Sequence, residues 1–503
     1  MNHHPRRRTT ALAVTTTVLG SALLTGCMAT APTDSPSGSG RLRLALNFTP
    51  IADLSPYTED AVSLTRMGVA EALVSIDKDG SPRPGLAEKF EMTDSKTATF
   101  TLRRDVTFHD GTALDAKAVT DSLNHALKAT PAPATLSGRA LTVTAKDDHT
   151  VTVTSDKDDP ILVQRFANPD TVILAAKAYT KNPNKPDPTN AGTGPFRLTT
   201  LTGTTAATAD AYPTYWGGKP HLTGLDVTFV SKADSRVSAL RSGEVDVIQN
   251  VPIAQVANIT DHVVDKRAIP RTTGISLNTK NGPFTDTGLR VAAAKAISGT
   301  AVATTVFEGK ADPAAGYFRG DTTWTDHRPA PTYPDPSDPH GKTITIATYD
   351  DRPELPETAT LVADQLRKAG FTVNPPVVKK YSLIEKEFTE GTYDAVIASR
   401  MYASKAGDPI AILQSDFGCK GGYNLAFFCD KETDEILDKA ATSTDLDERR
   451  RAAITAETRI LSQAPYLPLV HEQVRIGHAK TVTGLADDPL EWRMITKDTV
   501  LAK

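Results

Sequence analysis

The chain reads as an α/β protein built around a largely parallel sheet, and three observations lead there. Residues 343–399 alternate strand-like and helix-like patterns in β-α-β-α-β order. About 460 residues follow Arg41, more than one ordinary core holds, so two or three domains are expected. Past the first 26 residues, no stretch is long and apolar enough to span a bilayer.

The N-terminus has the pattern of an export signal. Arg6, Arg7 and Arg8 precede an apolar, small-residue run from Ala11 to Leu24, and Leu24-Thr25-Gly26-Cys27 follows directly. Small residues before a cysteine resemble the bacterial lipobox, which implies cleavage before Cys27 and lipidation of the new N-terminus. The alternative is an ordinary secretory signal, and the export route stays open. Residues 28–40 are small and polar, too poor in apolar area to fold, and read as a tether.

Further along, Arg41–Leu46 alternates as a strand. Ala61–Leu73 places Val62, Met67, Val69 and Leu73 at roughly helical spacing. Ala98–Leu102 is a strand. Asp115 then caps a helix with Val119, Leu123 and Leu127 on one face. Leu141–Thr144 and Val151–Thr154 flank a hairpin turn, and the proline-rich residues 181–195 form a long connection. Ala233–Leu240 is helical, Gly243 ends it, and Val245–Ile248 returns to strand. In the second half Thr343–Thr348, Phe371–Val378 and Tyr393–Ser399 are strands, with helices over Glu357–Ala369 and Tyr381–Phe388 between them. Pro375 and Pro376 leave the end of the middle strand in doubt. Residues 320–340 form a long, proline-rich surface connection. A parallel sheet of this kind binds ligands outside the carboxyl ends of its strands. Topology therefore brings Tyr349 and Arg352, past the first strand, toward Arg400, Tyr402 and Lys405, past the third.

Composition narrows the function. With net charge -4 and no basic run outside the signal, nothing asks for a nucleic acid. Besides Cys27 the chain has Cys419 and Cys429, ten apart, which in an exported protein read as a disulfide. Neither Gly-x-Ser-x-Gly nor His-Glu-x-x-His occurs, and His109-Asp110 supplies too few ligands for a metal. Gly192-x-Gly194 reads as a tight turn, because no Lys-Ser/Thr follows it. No cofactor is expected, and catalysis is not.

Several segments, in order along the chain, resemble family 5 of the ABC-importer solute-binding proteins, the oligopeptide, dipeptide and nickel-binding group. They are Ala98 to Thr112 (ATFTLRRDVTFHDGT), Gly192 to Phe196 (GTGPF), Tyr215 to Pro220 (YWGGKP), Leu240 to Asp246 (LRSGEVD), Ser276 to Lys280 with Pro283-Phe284, and Gly421 to Asn424 (GGYN). The resemblance implies a two-lobed periplasmic-binding-protein-like fold of type II, with an extra subdomain inserted in lobe one. Lobe one would be 41–272 plus 473–503, with the insertion near 70–190, and lobe two 273–472. The crossings would lie near Gly274–Asn278 and His471. The implied function is capture of a peptide or peptide-like solute for an ABC permease and ATPase. It would be performed by a monomer held by lipid on the extracytoplasmic face of the cell membrane. A ligand sensor on the same fold is the rival; a hydrolase is disfavoured.

Peptide-binding members carry Trp-x-x-Asp-x-x-Asp-Pro, whose first Asp meets the ligand's ammonium group. Here Tyr402 stands at the Trp, Lys405 at that Asp, and Asp408-Pro409 completes the pattern. A lysine repels an ammonium, so Lys405 shifts weight toward a carboxylate-rich solute such as an opine, a modified peptide or a metal chelate. Asp408 has a second reading, as a helix cap. Arg352 and Arg400 suit an anion. Tyr349, Asn278, Tyr423 and Asn47 complete the candidate ligand-binding set.

Overall fold

The structure, a computed structural model, describes residues 39–137, 139–320, 322–403 and 407–502. The signal, Cys27 and most of the tether, and also Lys405, lie outside the described residues. Among those described, no helix is long and apolar enough to cross a membrane.

Eleven strands of the described residues form one mixed sheet. In chain order they are β1 (Ser39–Leu46), β2 (Phe196–Thr202), β3 (Ala206–Ala211), β4 (Leu222–Phe229), β5 (Val247–Ile248), β6 (Val263–Leu277), β7 (Asp312–Pro313), β8 (Ile346–Tyr349), β9 (Val377–Lys379), β10 (Ala395–Met401) and β11 (Tyr466–His478). Side by side they run β9-β8-β10-β6-β11-β5-β1-β4-β3-β2, with β7 joined to β11. β1 is parallel to β4 and β5. β8 is parallel to β9 and β10, as the β-α-β-α-β pattern requires. Helices α1 (Ala116–Lys128), α2 (Glu354–Lys368), α3 (Tyr381–Glu390), α4 (Pro409–Phe417), α5 (Lys431–Ala441) and α6 (Leu446–Ser462) matter below. Asp115 caps α1, accepting from Ala118 N at 2.7 Å. α1 packs beside an antiparallel sheet of four strands, built from Ala87–Met92, Thr97–Leu102, Leu141–Asp147 and Thr150–Ser155.

Three expected elements come out differently. The strand expected over Thr343–Thr348 splits into Thr343–Ile344, which pairs with Thr372–Val373, and β8. The helix expected over Ala61–Leu73 ends at Arg66, and Gly68 turns the chain at φ +65°. Met67, Val69 and Leu73 are fully buried all the same, so their spacing reported burial rather than helix. The strand expected over Phe371–Val378 breaks into Thr372–Val373 and β9, because Pro375 and Pro376 have no N–H to continue a ladder.

Hydrophobic packing among the described residues forms one large core and three smaller ones. The large core gathers residues from Leu42 to Val247 and from Ile476 to Ile495, with Ala403, and a small one gathers Ala45 to Ile259. Two others gather Ile253 to Val470 and Tyr317 to Tyr466. β6 and β11 pass together from one lobe to the other. Their antiparallel register runs to Ala268–Gln473 and resumes at Thr272–His471. Three residues of β6 therefore stand opposite Glu472 alone. Pro270, which has no amide to offer, sits in this bulge. A bulge re-aims the side chains around it, and here those are Arg271 and Glu472.

Candidate functional site

The bulge places a charged cluster between the lobes. Glu472 Oε1 accepts from Thr273 Oγ1 at 2.7 Å and from the Ser399 hydroxyl, and Oε2 accepts from Arg352 Nη1 at 3.1 Å. Arg271 Nη1 donates to Ser399 Oγ at 3.3 Å. Arg271 Nε is buried and meets no hydrogen-bond partner among the described residues. The Tyr349 hydroxyl lies against the backbone of Ser399, accepting from its N–H at 3.2 Å. Desolvation pushes the Glu472 carboxyl upward, but Arg352, Arg271 and the two hydroxyls outweigh it and hold it below the usual range. Burial is the main cause that lowers Arg271, with the like charge of Arg352 adding to it. Arg352 is bonded to the Glu472 carboxylate and Arg271 acts on it through charge, and the Arg352 side chain is still 39% exposed.

The facing lobe contributes the loop after β1. Arg66, buried, donates from Nε to Glu491 O at 2.6 Å. The Gln249 amide, oriented to suit both neighbours, donates to Asn47 Oδ1 at 2.6 Å and accepts from Arg66 at 3.1 Å. Phe48 and Ile51 are 54% and 74% exposed, and the Arg66 guanidinium lies 5.5 Å from the Phe48 ring. Glu491 is close enough to act electrostatically on Arg66, Arg271 and Arg352 alike.

Beside this cluster lies a cavity of about 260 Å³ walled by both lobes. The hairpin around Gly80 and the tail at Leu490 line one side; Phe318, Trp324 and Tyr402 line the other. The Tyr402 ring packs edge-on to Phe318 at 5.3 Å, and its hydroxyl accepts from Arg319 N at 3.2 Å.

The other residues marked from sequence divide into two groups. Arg400 holds both oxygens of Asp416 at 2.7 Å, and its guanidinium lies 4.2 Å over the Tyr423 ring. Tyr423 accepts from the Tyr381 hydroxyl at 3.3 Å, and the Tyr381 ring packs against Tyr349 at 5.1 Å. Tyr349, Tyr423 and Arg400 thus form a connected wall with Arg352 beside it. Asp408 and Asn278 are committed elsewhere. Asp408 caps α4 at Ala411 N (2.7 Å) and pairs with Arg449. Asn278 donates to the carbonyls of Gly391 and Tyr393 and accepts from two following amides. The Cys419–Cys429 disulfide is formed and closes the loop that carries Tyr423.

Sequence reasoning did not single out Arg271, Arg66, Gln249 or Glu491, and it placed Glu472 only near a crossing strand. The available signal was Pro270 beside an arginine in a long extended run, which marks a bulge.

The profile of the bacterial extracellular solute-binding proteins, family 5 Middle, matches residues 81–424. The glutathione-binding protein GsiB of Escherichia coli K12 is 25% identical over 470 residues, covering 87% of this chain and 90% of its own. The nickel-binding protein NikA of Staphylococcus aureus is 24% identical over 412 residues, covering 79% and 81%. The crystal structure of a nickel ABC transporter protein from Bacillus halodurans superposes with a TM-score of 0.79 at 23% identity, over 92% of this chain and 99% of that one.

Proposed function

This chain belongs to the bacterial extracellular solute-binding proteins of family 5, and we propose that its cleft captures a small peptide-like solute through an anionic group, for delivery to an ABC importer. The observation that carries the anionic preference is the buried Nε of Arg271, without a hydrogen-bond partner among the described residues, on a guanidinium that raises the local positive charge together with Arg352. An unmet buried donor is costly, and a carboxylate satisfies a guanidinium in bidentate fashion. Tyr349, Tyr402, Tyr423 and Arg400 form the walls, Asn47 faces them from the other lobe, and Asp408 and Asn278 hold the frame. The lobes are 41–272 with 473–503, including a subdomain near 70–190, and 273–472. They close on the solute by bending at β6 and β11. The chain binds without chemistry and acts as a monomer, tethered through a lipidated Cys27 to the extracytoplasmic face of the membrane, with permease and ATPase subunits as its partners.

A metal chelate is the second reading, favoured by the likeness to NikA; chelators bring carboxylates as well. Native mass spectrometry of the purified chain, with the released solute fragmented, tests the proposal. A solute bearing a free carboxylate supports it, as peptide or as chelate. A solute that is uncharged or purely cationic overturns it.

A further inference from the structure

The two lobes also touch at a hairpin tip that lines the same cavity as β6. In lobe two, α6 carries Arg450, whose side chain is only 10% exposed. In lobe one, a hairpin joins Val74–Ile76 to Pro82–Pro84, and its tip is Asp77 to Ser81. Arg450 Nη2 donates across the gap to the Asp79 carbonyl and, at 3.0 Å, to Ser81 Oγ. Backbones meet beside it: a Cβ on Gly80 would lie 3.3 Å from Gly407 O, and one on Gly407 would lie 3.7 Å from the Ile76 side chain. Ala403 of lobe two is buried in the core of lobe one. Arg450 also lies 6.0 Å from the ring of Trp324, which lines the interlobe cavity.

We propose that Arg450 is a positioning residue of the trap, a latch that holds the lobes shut by gripping the hairpin tip. This rests on the reading of the cleft as a solute trap. The acceptors of its Nη2 belong to the opposite lobe, so those bonds exist only when the lobes are together, while Nη1 lies 3.6 Å from Asp447 on its own helix. The hairpin tip is shaped to receive it. Asp77 Oδ1 accepts from Asp79 N and Ser81 N, both at 2.9 Å, which turns the Asp79 carbonyl outward with nothing in its own lobe to meet it. Hydrogen bonds to a charged donor are among the stronger ones. Arg450 therefore weights the closed state without touching solute, and sets how long solute is held rather than how fast it enters.

The test is a crosslink that reports closure and needs no solute. Lys78→Cys and Arg451→Cys flank the contact on its two sides, in the full chain carrying Cys27→Ser, with the native disulfide oxidised. The probe is a short bis-maleimide. With Arg450 in place the crosslink forms; Arg450→Ala slows it about tenfold, and Arg450→Lys, which still donates to both acceptors, restores most of the rate. Ser81→Ala removes one acceptor and slows it about threefold, which covers the case that Arg450→Ala does not fold. Equal rates for arginine and alanine overturn the latch, as does failure of lysine to rescue, or absence of the crosslink with Arg450 present. A solute that proves uncharged defeats the anionic reading and leaves this result standing.

Discussion

Arg449 grips both oxygens of Asp408, Nε to Oδ1 at 2.9 Å and Nη2 to Oδ2 at 2.6 Å, and neither side chain is more than 4% exposed. The same carboxylate caps α4. Removing one partner of a buried pair strands the other's charge, which costs about 3–5 kcal/mol. Asp408→Ala is expected to lose about that much stability in urea unfolding.

At the bulge the expectation is the reverse. Arg271 makes one long hydrogen bond to Ser399, so its loss strands no carboxylate that Arg352 does not still hold. Arg271→Ala is expected to keep stability within about 1 kcal/mol and to weaken solute binding at least tenfold in calorimetric titration. Arg400→Ala, which leaves Asp416 buried, is expected to act chiefly on stability.

His471 is held neutral. The Thr272 hydroxyl donates to Tyr317 O at 2.7 Å, so His471 Nδ1 carries the hydrogen and donates to Thr272 at 2.8 Å. Burial, aided by Arg319 and Arg328, brings its pKa down to about 3. An unfolded histidine takes a proton below about 6.5 and the folded one does not. Its contribution to stability is therefore complete above pH 6.5 and falls with pH toward 3, by up to about 1.4 kcal/mol per pH unit. His471→Asn keeps a donor and cannot titrate. The stability difference between the two proteins, followed by urea unfolding from pH 7 to 4, is expected to move in favour of the variant as pH drops.

Gly194 and Gly192 are needed for close approach rather than for a positive φ. A Cβ on Gly194 would fall 2.2 Å from Gly68 O, across the contact where Phe196 N donates to that carbonyl at 3.1 Å. Gly194→Ala is expected to cost about 1–3 kcal/mol, visible as a lowered melting temperature.

The disulfide closes a short loop. Its reduction, or Cys419→Ser with Cys429→Ser, is expected to cost about 2–3 kcal/mol in urea unfolding.

The parallel half of the sheet was legible because β8, α2, α3 and β10 each keep their own period, while Pro375 and Pro376 hid where β9 begins. β6 was not, because Asp265, Lys266, Arg267 and Pro270 interrupt any alternation along it. That Tyr349, Arg352 and Arg400 lie near one another followed from topology, since strand ends converge wherever a parallel sheet forms. Which arginine is already spoken for could not be read. The partner of Arg400 is sixteen residues away, that of Arg352 is 120 residues away, and only the folded chain brings them into register. The capping role of Asp408 was legible, since Pro409 and an apolar run follow it; its pairing with Arg449 was not.

The bulge where three residues of β6 face Glu472 holds the guanidinium with an unmet donor and is also where the two lobes are joined. On the proposed function, the recognition group sits on the fulcrum with the lobes as its lever arms, and a solute that engages Arg271 applies torque directly to the joint.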